Sequence, residues 1–103
     1  MDKKGASKIA KNYLNYILKE KKINITGAYL FGSYAKDTFN EDSDIDLAII
    51  MKNLKNSYEM LVKLMMLRRD FDLSIEPHPF DEKDFDDTNP FAFEIMKTGI
   101  KIL

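Results

Sequence analysis

The chain has 103 residues, 45% of them apolar, no cysteine and a formal net charge of −1. That length suits one domain, residues 1–103, with an ordinary core and no separate substrate domain. The absence of cysteine excludes disulfides and thiolate metal centres, and the near-zero charge argues against a general nucleic-acid binder, whose affinity rests on basic excess.

Residues 6–22 have helical periodicity: Ile9, Tyr13 and Ile17 recur every four positions beside Ala10, Leu14 and Leu18, with lysines on the other face. Ser7 is a candidate start signal. Residues 25–31 predict a buried strand that Gly32-Ser33 breaks. Residues 44–51 predict the clearest strand, with Ile45, Leu47 and Ile49 on one face and Asp44, Asp46, Ala48 and Ile50 on the other. A second helix is expected over 54–69, its apolar stripe carried by Leu54, Tyr58, Leu61, Val62 and Met65, with Met60, Met65 and Met66 filling gaps in the core. Residues 71–76 alternate Phe71, Leu73 and Ile75 with Asp72, Ser74 and Glu76, a third strand that Pro77 and Pro79 should end. An acidic, turn-like stretch follows over 80–89. Asn89-Pro90 then reads as a cap and first helical residue, Gly99 as the stop, and Ile100–Leu103 as a last edge strand. The order α, β, β, α, β, α, β predicts an α/β or α+β fold: a small mixed sheet covered by helices.

No apolar run approaches the roughly 18 residues of a membrane span, and Met1-Asp2-Lys3-Lys4-Gly5 leads into an amphipathic stretch and not an apolar signal core. The default expectation is a cytoplasmic protein with no membrane partner. Charge is uneven along the chain. Residues 1–22 hold seven lysines against Asp2 and Glu20, and residues 70–94 hold nine acids against Lys83. Solvated faces explain this, and either face could also meet a partner.

Asp44 and Asp46, two apart on a strand, point the same way. Carboxylates this close repel and call for a cation. Hard oxygen donors suit Mg²⁺ or Mn²⁺, ions that keep several waters and take substrate phosphates as further ligands. An isolated Asp-x-Asp is usually a solvated strand end, but here Gly32-Ser33 precedes it by twelve residues. Glycine after a strand lets backbone N–H groups turn toward an anion, and Ser33 adds a hydroxyl donor. An anion cradle beside a metal site is an arrangement for metal-complexed triphosphate.

The residues Phe31-Gly32-Ser33-Tyr34-Ala35-Lys36-Asp37 and Asp42-Ser43-Asp44-Ile45-Asp46-Leu47 resemble the signature of the polymerase-β-type nucleotidyltransferase superfamily, and within it the minimal nucleotidyltransferase (MNT) proteins. The resemblance covers nearly the whole chain in length and element order. One departure is Asp37, where the family commonly has Gly. The resemblance implies a nucleotidyltransferase-like fold, with metal on Asp44 and Asp46 and triphosphate on Gly32, Ser33 and Ser43. It also implies a third carboxylate on a later strand, which the spacing places at Asp72, with Asp70 and Glu76 sharing its face as runners-up. Three acids would permit two-metal catalysis, with Asp72 close to the acceptor's proton. His78, between two prolines, reads as a surface turn residue, Tyr34 as packing, and Lys36 as either a phosphate contact or a solvated side chain.

The leading expectation is transfer of a nucleoside monophosphate, AMP from ATP, with release of pyrophosphate. The resemblance further implies an antitoxin whose acceptor is a tyrosine of a separate HEPN-type toxin. A rival from another class is a non-catalytic MNT-fold module that neutralises a partner by contact. Transfer to RNA or to a small molecule such as an aminoglycoside would need an acceptor-holding surface that a single domain lacks, unless a homodimer supplies it.

Overall fold

In the computed structural model, which describes residues 1–103, the N-terminal amphipathic segment forms α1 (Lys3–Lys19). It begins earlier than expected because Asp2, and not Ser7, caps it: the Asp2 side chain accepts the Gly5 N–H at 2.8 Å. Such a cap is worth about 1 kcal/mol. Lys22, expected inside the helix, has φ of 54° and lies beyond its end.

The four strands are β1 (Ile25–Phe31), β2 (Ile45–Met51), β3 (Ile75–Asp81) and β4 (Ile100–Lys101), in the spatial order β3-β2-β1-β4. β1 runs antiparallel to β2 and β4, and β2 runs parallel to β3, so the sheet is mixed, as expected. The parallel step needs a crossover, which α2 (Ser57–Leu67) provides. α3 (Pro90–Thr98) completes the fold, capped by Asn89, which accepts from Phe91 and Ala92. No helix is long and apolar enough to cross a membrane.

The two faces of the sheet differ sharply. Ala28, Leu30, Ile45, Leu47, Ile49 and Ile75 face one way and form the core with Ala6, Ala10, Tyr13, Leu14 and Ile17 of α1 and Leu64 of α2. The Tyr13 hydroxyl donates to the Leu64 carbonyl at 2.7 Å and ties the two helices together. Burial pushes that phenol's pKa well above its ordinary value, with Arg68 pulling weakly the other way. The opposite face carries Phe31, Asp46, Ala48, Glu76, His78 and Phe80, partly covered by α3.

Two further expectations are corrected. The stripe assigned to the second helix is not its buried face. Leu64 is buried with Met60 and Leu67 packed beside it, whereas Tyr58, Val62 and Met66 are exposed. The segment Ser57-Tyr-Glu-Met-Leu-Val-Lys-Leu-Met-Met-Leu67 is apolar almost all round, so periodicity cannot choose its face. The third strand lies later than 71–76. Arg68–Asp70 is a single 3₁₀ turn and Phe71 turns back onto Tyr13 and Tyr16, with ring centroids 5.7 and 5.2 Å apart. The strand then runs through both prolines. β3 is an edge strand, and Pro77 and Pro79 alternate on the side whose N–H would face away from β2. Two prolines two residues apart therefore mark an edge and not an end.

Candidate active site

β1 ends at Phe31 where β2 begins, and the chain between them builds one side of the site. Gly32 has φ of 76°, a conformation that side-chain-bearing residues rarely adopt. A β-carbon there would run into the Asp46 carboxylate. From Gly32 the chain makes one helical turn, with the Lys36 N–H bonded to the Gly32 carbonyl. It closes with a left-handed cap in which the Thr38 N–H reaches back to the Ser33 carbonyl across Asp37. The N–H groups of Ser33, Tyr34 and Ala35 and the Ser33 hydroxyl donate to nothing within the protein.

Asp37 explains its own departure from the family pattern. It occupies the left-handed position of that cap, φ 59°, where Gly is the usual residue and Asp one of the few tolerated substitutes. Its carboxylate pairs with Lys3 at 3.0 Å, which keeps the charge on the α1 side. Lys36 pairs with Glu94 of α3 at 3.6 Å. Tyr34 is fully buried and stacks on Phe39 at 4.8 Å, so it packs.

A tight turn delivers the acid pair. Asn40 accepts the Asp42 N–H, and Ser43 closes the turn by accepting the Asn40 N–H on its hydroxyl oxygen at 2.9 Å. Ser43 thus shapes the turn, with its hydroxyl hydrogen still available as a donor. Asp44 is exposed just before β2, and Asp46 is half-buried within it.

Asp72 does not join them. It sits in the turn before β3, where its Oδ1 accepts from the Ser74 backbone N–H at 2.9 Å and the Ser74 hydroxyl at 2.6 Å. Glu76 is the carboxylate-bearing residue directly opposite Asp46 in the parallel ladder. Its side chain leans toward Arg68, 3.7 Å away. Asp70 ends the 3₁₀ turn, outside the strand.

His78 is the residue that sequence reasoning placed wrongly. It lies within β3, opposite Ala48 and one step along the same face from Glu76. Its Nε2 is buried without a hydrogen-bond partner, 3.6 Å from Asp46 Oδ1. Phe31 and Phe91 hold the ring by edge contacts, at centroid distances of 5.0 and 5.9 Å. The signal was present in the sequence: prolines at 77 and 79 force an edge strand and put Glu76, His78 and Phe80 together on the other parity.

The donor set fits a hard divalent cation that completes its shell from a nucleotide. No three carboxylate or imidazole groups converge tightly enough to enclose an ion by themselves. A Mg²⁺-type site uses one or two carboxylates plus phosphates and water, and free N–H groups beside Asp46 suit the phosphates. None of the molecule's hollows is lined by Gly32, Asp44 or Asp46, and one is lined by His78, Phe80 and Phe91 beside them.

Comparison with solved structures finds the same architecture. A Sulfolobus solfataricus protein assigned as a nucleotidyltransferase superposes with a TM-score of 0.70 at 20% identity, over 96% of this chain and 80% of that one. A chain of a toxin–antitoxin structure with AMP-PNP gives 0.59 at 23% identity, over 89% of this chain and 71% of that one. A mutant of the toxin–antitoxin MntA-HpeT gives 0.58 at 21%, with the same coverage. No curated protein matches the chain. The sequence model of the family described as Polymerase beta, Nucleotidyltransferase matches residues 12–103, which spans every strand and the whole Gly32–Asp46 region, and the chain belongs to that family.

Proposed function

We propose that the protein transfers a nucleoside monophosphate, AMP from ATP, to a hydroxyl of a separate protein, as an MNT-type antitoxin acting on a HEPN-type toxin. The observation that carries the reading is the placement of Gly32 against Asp46: a glycine-only turn with free N–H groups touches the carboxylate of the acid pair. Ser33, Tyr34 and Ala35 would bind the triphosphate through backbone N–H groups, with Ser33 adding its hydroxyl and Ser43 a further donor. Asp44 and Asp46 would hold the divalent ion, Mg²⁺ or Mn²⁺, and Glu76 replaces Asp72 as the third carboxylate. When bound, the ion supplies charge neutralisation on the phosphates and Lewis acidity.

In the transfer, the acceptor oxygen bonds to the α-phosphorus, the bond from that phosphorus to the α–β bridging oxygen breaks, and pyrophosphate leaves. Glu76 takes the acceptor's proton. A cytoplasmic setting suits an enzyme that draws on ATP.

Co-expression with the product of an adjacent HEPN-type reading frame, followed by incubation with α-³²P-labelled ATP, tests the reading. The partner should carry label on tyrosine, and Asp46→Asn should abolish it. A partner that is neutralised without any label would instead establish the rival, neutralisation by contact alone.

A further inference from the structure

We propose that His78 Nε2 is a metal ligand beside Asp46 and biases the site toward Mn²⁺ over Mg²⁺. The inference rests on the nucleotide-binding reading above and deepens it. His78 is the only histidine in the chain. Its Nε2 is buried and has no hydrogen-bond partner, a costly state for a ring nitrogen unless something else satisfies it. Asp46 Oδ1 lies 3.6 Å from it, beyond hydrogen-bond range. A ring nitrogen and a carboxylate oxygen, both able to ligate a metal, thus lie 3.6 Å apart with no hydrogen bond between them.

That separation is close to the spacing of two donors on one ion. Ligand atoms about 2.1 Å from one metal lie roughly 3.0 Å apart at an octahedral angle and roughly 3.4 Å apart at a tetrahedral one. A few tenths of an ångström of side-chain movement closes the difference. The ring is already aimed, because Phe31 and Phe91 grip its edges and Pro77 and Pro79 stiffen the strand on either side. Mg²⁺ demands oxygen donors, whereas Mn²⁺, a transition metal, also accepts an imidazole nitrogen among them. One nitrogen among carboxylate and phosphate oxygens therefore shifts preference toward Mn²⁺ without excluding Mg²⁺.

The lone histidine makes the test specific. Protein labelled with ¹⁵N-histidine is mixed with Mn²⁺ and a non-hydrolysable ATP analogue, with binding confirmed by calorimetry. Pulsed electron paramagnetic resonance then reads the nuclei coupled to the ion. Couplings to both ³¹P and ¹⁵N are expected. In His78→Gln the ¹⁵N coupling should vanish, and Mn²⁺ affinity should fall roughly tenfold or more while Mg²⁺ affinity changes little. His78→Asp should restore ion binding with the preference moved toward Mg²⁺. Phosphorus coupling without nitrogen coupling in the wild type would overturn the role of His78 and leave the nucleotide reading intact. No binding of the Mn²⁺–nucleotide at all would remove both.

Discussion

The Asp46 carboxylate fills the space that any side chain on Gly32 would need. The two residues are joined by position, since Phe31 and Asp46 are paired across β1 and β2. Gly32→Val must therefore displace the Asp46 carboxylate as well as strain the backbone, at a cost of about 1–3 kcal/mol. The domain should remain folded by circular dichroism, with a lower denaturation midpoint and no measurable ATP binding. Wild-type nucleotide affinity in the folded variant would remove the cradle from the site.

Asp37 is a different case, because its left-handed position asks for a residue without β-branching. Asp37→Val should destabilise by about 1–2 kcal/mol. Asp37→Gly should be neutral or slightly stabilising, as relief of the backbone outweighs an exposed ion pair with Lys3 worth about 0–1 kcal/mol. Chemical denaturation of both variants checks this. A strongly destabilised Asp37→Gly would mean that the Lys3 contact, and not the conformation, governs the position.

The third carboxylate separates two neighbouring acids. Glu76→Gln should lower kcat roughly a hundredfold or more with little change in ATP affinity, the pattern of a group used only in the transition state. Asp72→Asn should retain turnover and lose about 1 kcal/mol of stability, through a weaker turn at Ser74. Single-turnover kinetics with both variants would expose the opposite assignment as an inactive Asp72→Asn beside an active Glu76→Gln.

This pair also marks where sequence reading reached its limit. The Gly32 and Asp44–Asp46 region was legible because turn chemistry and strand parity are local rules. So were the core faces of α1 and β2, and Asn89 with Pro90 at the start of α3. Asp72 was expected on a strand because Phe71-Asp-Leu-Ser-Ile75 alternates as a strand should, whereas it lies in the turn before β3, with Phe71 taken by an aromatic contact with α1. Nothing within five residues announces that contact. His78 was misplaced because the two prolines were read as ending a strand, when they are equally compatible with an edge strand, which β3 is. The stripe of α2 failed for a related reason: an apolar helix takes its buried face from what it packs on.

Asp81 supplies a pH-dependent part of the stability. The Leu54 N–H at 2.8 Å, and then the Lys83 N–H at 3.1 Å, hold this buried carboxyl below the ordinary carboxylate range. With the folded-state pKa depressed, the unfolded chain takes up a proton first as pH falls. The stabilisation is complete above a pKa of about 3.9 and is lost as pH drops through that range toward the folded value. Asp81→Asn should therefore lower the thermal midpoint at pH 7, and the gap to wild type should narrow below about pH 4. A gap that stays constant with pH would assign the effect to packing.

The central claim is that Asp44 and Asp46 hold a metal-complexed nucleotide against the Gly32 turn. Isothermal titration of the wild type and Asp46→Asn with a non-hydrolysable ATP analogue in Mg²⁺ tests it directly. The wild type should bind one equivalent, and Asp46→Asn should bind roughly tenfold or more weakly, with both proteins equally folded. Equal binding by the two, or none by the wild type, would contradict the account.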